Sequence, residues 1–158
     1  GYITPEVRSL LKKTGFPGMK VLQFAFSVDG ESNYLPHNIT DKNCVIYTGT
    51  HDNDTNTGWL SSGDTDEVKF AKNYLNIKSD ADFNWAMIKA ALMSVADTCI
   101  LTMADLVSLG SEGRINTPAT CENNWTWRID GGCINDWLAN ILYENTALYK
   151  REAKKEDD

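Results

Sequence analysis

Residues 43–55 read NCVIYTGTHDNDT. The first part, 44–48, is apolar up to Thr48, the pattern of a short strand covered by helices on both faces, as in parallel sheets. Directly behind it come His51, Asp52 and Asp54. Folds of the α/β class build their sites from polar side chains delivered at the carboxyl ends of such strands. Two further runs have the same character, VLQFAF at 21–26 and TCILTM at 98–103. They predict two more buried strands.

Between the runs the spacing turns helical. Thr4-Pro5 predicts a helix start, with Thr as N-cap and Pro in the first turn, and Val7, Leu10 and Leu11 form its apolar stripe up to Gly15. The polar stretch 27–43, with Gly30 and Pro36, reads as a loop holding at most a short helix. A short helix is expected around Trp59, another over 66–76 and a longer one over 82–95. On the last, Trp85, Ile88, Leu92 and Val95 recur at helical spacing. Asp105-Leu106 opens a short helix ended by Gly110, and 111–132 is irregular. A final helix from about Asn135 turns Leu138, Ile141, Leu142 and Tyr149 inward, and the charged tail 150–158 is expected to fray.

Strand and helix therefore alternate, which predicts a parallel α/β fold. Three strands alone leave two open edges and two faces to cover. A (β/α)8 TIM barrel needs eight strands and about 250 residues. The 158 residues are accordingly read as one partial domain, the C-terminal third of such a barrel and incomplete as a barrel on its own. The start at Gly1, with no initiator Met and no signal-like apolar run, is read as processing or as a piece of something longer.

A net charge of −7, with 15 basic against 22 acidic residues, argues against a nucleic-acid partner, which needs clustered Lys and Arg. No run reaches the roughly 18 apolar residues of a membrane span. Cys44, Cys99, Cys121 and Cys133 form no C-x-x-C pair and have no histidine at zinc-ligand spacing. Free thiols in a reducing compartment are expected, with a Cys121–Cys133 disulfide as the alternative.

Five ordered blocks then carry a resemblance: GMKVLQFAF (18–26), NYLPHN (33–38), VIYTGTHDNDT (45–55), SVADTCILTMADLVSLGSEGRINTP (94–118) and NNWTWR (123–128). Together they resemble the amylomaltases, the 4-α-glucanotransferase or disproportionating-enzyme family, from Gly1 to about Tyr149. The resemblance implies a cytoplasmic enzyme, or a plastid one in a plant, that moves α-1,4-glucan segments between malto-oligosaccharides. It implies no cofactor and no metal, and it makes the three runs barrel strands six, seven and eight. The implied mechanism is retaining, through a glycosyl-enzyme. By motif Asp52 is the transition-state-stabilising carboxylate and His51 its neighbour at the reacting sugar. Gly1 resembles the glycine of the family's Glu-Asp-Leu-Gly segment. The acid/base Glu is then expected three residues before Gly1 and the nucleophile further upstream, so the chain alone is expected to be inactive.

Each residue also has a plainer use. Asp52 could cap the helix carrying Trp59, and His51 could bond only to backbone. Asp54 reads as a turn or cap residue. His37 either meets sugar or orders its loop. Arg114 and Asn116 suit sugar hydroxyls or an ordered loop. Trp125 and Trp127 are expected in the core rather than stacked on sugar. Asn123 stands where the family usually has Gly, which leaves the shape of that loop open. Two rival functions remain: a non-catalytic glucan-binding fragment, whose binding would survive loss of Asp52 but not of Trp125, and a fragment that self-associates through its open strand edges.

Overall fold

The computed structural model of the chain describes residues 3–27, 32–62 and 65–153. Expectations resting on Gly1, Gly30 and 154–158 lie outside them. Helix α1 (Pro5–Thr14) begins as its sequence dictates: the Thr4 hydroxyl accepts from Val7 N, and Gly15 ends it at φ 69°, where a side chain would be strained. Three short strands follow in the order β1 (Gly18–Val21), β2 (Cys44–Tyr47) and β3 (Thr98–Ile100). They pair in parallel, with Gly18 beside Cys44 and Val45 beside Thr98. The other α-helices among the described residues are α2 (Asn56–Ser62), α3 (Thr65–Tyr74), α4 (Phe83–Leu92), α5 (Met103–Leu106) and α6 (Asp136–Leu148).

The first strand is a correction. Of the run 21–26 only Val21 is strand. Residues 22–26 wind into a 3-10 helix that buries Leu22, Gln23, Ala25 and Phe26 and leaves Phe24 exposed. A short apolar run cannot by itself distinguish strand from buried helix. Gln23, a polar residue inside that run, decides it. Its backbone N–H still donates to Thr48 O at 3.1 Å. Its buried amide reaches Asp54 O (2.9 Å) and Asn56 Oδ1 (3.3 Å), so the chain must turn here. The third run ends early as well: Thr102 accepts from Asp105 N and caps α5.

Among the described residues the strands are not covered on both faces. Cys44 and Ile46 are buried, whereas Val45 and Tyr47 are half-buried, and Thr98 and Ile100 are exposed. The main core lies against α2, α3 and α4, with Phe26, Ile46, Trp59, Phe83 and Met87 at its centre. A second cluster joins Ile88 and Leu92 of α4 to Leu106 and Leu138. Away from the core Val7, Leu10 and Met19 stay exposed on α1 and β1, and Ile100 on β3.

Arg151, at the start of the charged segment, is held in place. The Arg151 guanidinium donates to Leu92 O (2.6 Å), Ser94 O (2.8 Å) and Ala96 O (2.8 Å), carbonyls orphaned where α4 ends. Arg151→Ala is expected to cost about 1–3 kcal/mol, the range for leaving buried acceptors unpaired. Urea unfolding of both proteins would read it, and an unchanged midpoint would refute it. All four cysteines are free, so Cys121 and Cys133 are not bridged. No helix among the described residues is long and apolar enough to cross a membrane.

Candidate active site

The site begins as a turn. Asn53 N donates to Thr50 O at 3.1 Å, and Asn53 Oδ1 accepts from Thr50 N and Thr50 Oγ1 at 3.0 and 2.8 Å. Thr and Asn close the turn at its two ends, so the residues between them, His51 and Asp52, project from its apex. Their side chains are 50% and 53% exposed, and His51 Nε2 lies 3.5 Å from Asp52 Oδ1. Asp52 does not cap the following helix. Thr55 does, its hydroxyl accepting from Gly58 N at 3.0 Å.

The loop after α5 holds this apex from the other side. Asn116 N donates to His51 O at 3.1 Å, and Asn116 Nδ2 to Asp52 Oδ1 at 2.6 Å. Arg114 donates through Nη2 to Asp52 O at 2.8 Å and through Nε to Asn116 O at 2.9 Å. Four of the residues singled out in the sequence thus meet in one cluster. Asp52 Oδ2 takes no hydrogen bond from the described residues and is left to accept one from a ligand.

His37 is not brought to the cluster. Its Nδ1 pairs with the Tyr74 hydroxyl at 2.7 Å, and the two rings lie 5.5 Å apart. Trp125 corrects the expectation of core packing: it is 59% exposed and sits over the His51 ring at 5.0 Å between centroids. Trp127 is half-buried. Asn123 adopts φ 60°, the left-handed region that glycine enters freely and asparagine tolerates. Trp125 is also left-handed, at φ 63°, a costly conformation for a bulky residue that the hydrogen bond from its own N to Ile115 O (2.8 Å) helps to hold.

A cleft of about 410 Å³ opens beside Asp52, lined also by Gln23, Phe24, Asp54, Trp59 and Arg114. Sequence reasoning missed Phe24 here, because nothing in a run without periodicity marks the one apolar member that faces outward. Asp54 acts as the turn residue it resembles: Oδ1 accepts from Thr55 N at 2.8 Å and Oδ2 from Ser111 Oγ at 2.7 Å. That pair crosses Gly58 closely, since a Cβ there would stand 2.5 Å from Asp54 Oδ1 and 2.6 Å from Ser111 Oγ.

Beneath the apex lies a second missed residue, Asp105, which is 1% exposed. Burial pushes its carboxyl above the usual carboxylate range. Hydrogen bonds from Asn56 and Thr48 oppose the rise, and the charge of Asp54 adds to it. A carboxyl raised on folding binds more protons folded than unfolded between its two values. Its contribution is therefore largest below the unfolded value and declines as pH rises through the window above it. The stability of the wild type relative to Asp105→Asn is expected to fall across that window and then level off. Urea midpoints of both proteins between about pH 4 and pH 8 would show it, and a gap that widens with pH would contradict it. Among the described residues no group of three or more His, Cys, Asp or Glu is placed to hold a metal ion.

Comparison with known proteins adds four findings. A family model described as 4-alpha-glucanotransferase matches residues 1–134. The 4-alpha-glucanotransferase of Clostridium butyricum is 46% identical over 152 residues, covering 96% of this chain and 31% of that protein. The chloroplastic/amyloplastic 4-alpha-glucanotransferase of Arabidopsis thaliana is 49% identical, covering 96% and 27%. An amylomaltase from Streptococcus agalactiae, solved in complex with acarbose, superposes with a TM-score of 0.89 at 32% identity, over 97% of this chain and 31% of that one. The chain thus spans about a third or less of the length of these relatives.

Proposed function

The chain belongs to the 4-alpha-glucanotransferase family, and on that premise we propose that it forms the C-terminal third of a retaining α-1,4-glucan transferase. In this reading β1, β2 and β3 are the last three strands of a TIM barrel. The half-exposed strand face and the exposed apolar side chains of α1 and β1 are the surfaces that the remaining barrel covers, so these residues form one partial domain. Substrates are malto-oligosaccharides and longer α-1,4-glucans. The compartment is the cytoplasm, or a plastid as the name of the Arabidopsis relative states.

The observation that carries the proposal is Asp52, a carboxylate at the carboxyl end of a parallel strand, half exposed beside the cleft, with Oδ1 held by Asn116 and Oδ2 taking no hydrogen bond from the described residues. In a retaining transfer an acid gives its proton to the glycosidic oxygen as a carboxylate attacks the anomeric carbon. The leaving glucan departs as an alcohol and a glycosyl ester remains. An acceptor hydroxyl then attacks that carbon, the ester breaks, and the acceptor's proton returns to the acid/base residue. Both of those groups are assigned to parts of the enzyme outside this chain. Asp52 accepts hydrogen bonds from the hydroxyls of the reacting sugar, and its charge faces the positive charge that grows on the ring. Asn116 and His51 meet the carboxylate, Arg114 holds the Asp52 backbone carbonyl, and the three offer donors beside it. His37, bonded to Tyr74, orders its own loop in this reading.

Amide spectra of the isotope-labelled protein, with and without acarbose, test the assignment. Shifts at His51, Asp52 and Asn116 are expected, and shifts confined to other residues would reject it. Binding that survives Asp52→Asn and fails in Trp125→Ala, with no glucose released from maltotriose by the intact enzyme, would favour the glucan-binding reading. Sedimentation of the isolated chain tests self-association, which the apolar surface of α1 and β1 favours when nothing else covers it.

A further inference from the structure

The segment that carries His51 and Asp52 leaves the sheet at Thr48 and re-enters regular structure at Asn56. Both residues are fully buried, and both meet the same side chain. Thr48 Oγ1 donates to Asp105 Oδ2 at 2.7 Å, and Asn56 N donates to Asp105 Oδ1 at 2.7 Å. One carboxylate therefore grips the two ends of the loop, an oxygen to each. Asp105 is itself anchored: its N–H donates to Thr102 Oγ1 at 3.2 Å, and its C=O accepts from Asn84 Nδ2 at 2.7 Å. Asn84 Oδ1 in turn accepts from Asn56 Nδ2 at 3.1 Å, which closes a ring of hydrogen bonds. Gln23 Nε2 extends the ring to the exit of β1 through Asn56 Oδ1. The exits of all three strands are tied together at this point.

We propose that Asp105 is a positioning residue that fixes the height and tilt of the 50–53 turn, and thereby the direction in which Asp52 and His51 face the cleft. The proposal rests on the reading of Asp52 as the carboxylate that meets the sugar. Asp105 touches neither Asp52 nor the cleft, so its effect passes through Thr48 and Asn56. The chemistry accounts for the residue type. The two donors lie at opposite ends of one loop and need two oxygens on one short, planar group. Deeply buried, such a network confines its members only when every leg is made. A shift of about 1 Å in a group acting on the transition state costs on the order of 10²-fold in rate. A clamp at both ends of the 48–56 loop is the means to prevent it.

The test compares Asp105→Ala, which removes both legs, Thr48→Val, which removes one, and Asp105→Asn, all in the intact enzyme. The asparagine can still accept from Asn56 N and donate to the Thr48 oxygen, since a hydroxyl can reverse its role. The alanine variant is expected to lose about 10²-fold in kcat with KM within about threefold. Thr48→Val should lose less, and Asp105→Asn should recover most of the rate. Amide exchange at Asp52 and Asn53 should quicken in the alanine and valine variants while that of residues 45–47 is unchanged. An alanine variant with normal kcat, or one whose strands and turn loosen together, overturns the proposal. So does failure of the asparagine to recover the rate. Should the alanine variant not fold, Thr48→Val carries the same comparison, and a normal kcat there overturns the proposal. A wild-type enzyme with no transferase activity would instead refute the glucan-transfer reading, and the exchange pattern would still decide whether Asp105 clamps the turn.

Discussion

Asp52→Asn in the intact enzyme is expected to lower kcat for disproportionation of maltotriose by about 10²–10³-fold with little change in KM. The substitution is nearly isosteric, and the amide oxygen can still accept from Asn116 Nδ2, so the geometry of the turn survives. What disappears is the charge. In its place the amide can turn an N–H toward the cleft, where the carboxylate had an unoccupied oxygen. Both changes matter most when the ring becomes oxocarbenium-like, because a fixed negative charge and its hydrogen bonds to ring hydroxyls strengthen at that moment. Ground-state binding is shared with other contacts, hence the small effect on KM. Glucose release from maltotriose measures the rate, and acarbose affinity measures the binding. A variant that keeps more than about a tenth of the wild-type kcat would remove Asp52 from the transition state.

Phe26→Ala is expected to destabilise the protein by about 3–5 kcal/mol. The ring is fully buried at the meeting point of three aromatic partners. It stacks on Trp59 at 6.1 Å and meets Phe70 and Tyr74 edge-on at 5.7 Å each. Truncation leaves a cavity that rigid rings on separate helices cannot close, so the cavity cost adds to the lost transfer free energy. Trp59 also lines the cleft, so the variant should weaken acarbose binding before it unfolds globally. Urea denaturation with a constant slope would measure the loss. A change below about 1 kcal/mol would mean that the ring is not held as described.

Much of the site was legible because its chemistry is local. Thr50 and Asn53 close their turn across three residues, and that short spacing is enough to put His51 and Asp52 at its apex. Thr4, Thr102 and Asn135 cap helices through bonds to residues three ahead. The hydrogen bond from Asn116 to Asp52 was not read from the sequence, since no local pattern brings together residues 64 apart.

The elements that were misread have a common cause. VLQFAF has no periodicity, and its turn into a 3-10 helix depends on acceptors for Gln23 supplied by Asp54 and Asn56, far along the chain. Arg151 looked like part of a solvated tail, yet its donors meet carbonyls near the end of α4, more than fifty residues away in sequence. Trp125 looked like core and instead covers His51.

The sequence by itself determined the alternation of helix and strand, the parallel class of the sheet and the turn that presents Asp52, because hydrophobic spacing and capping act over a few residues. Tertiary structure alone decided where the first strand ends, which aromatic rings face the cleft, and that Asp105 holds both ends of the loop that carries His51 and Asp52. Those outcomes depend on burying a polar group only where a distant partner can satisfy it, and the partner is found only once the chain has folded.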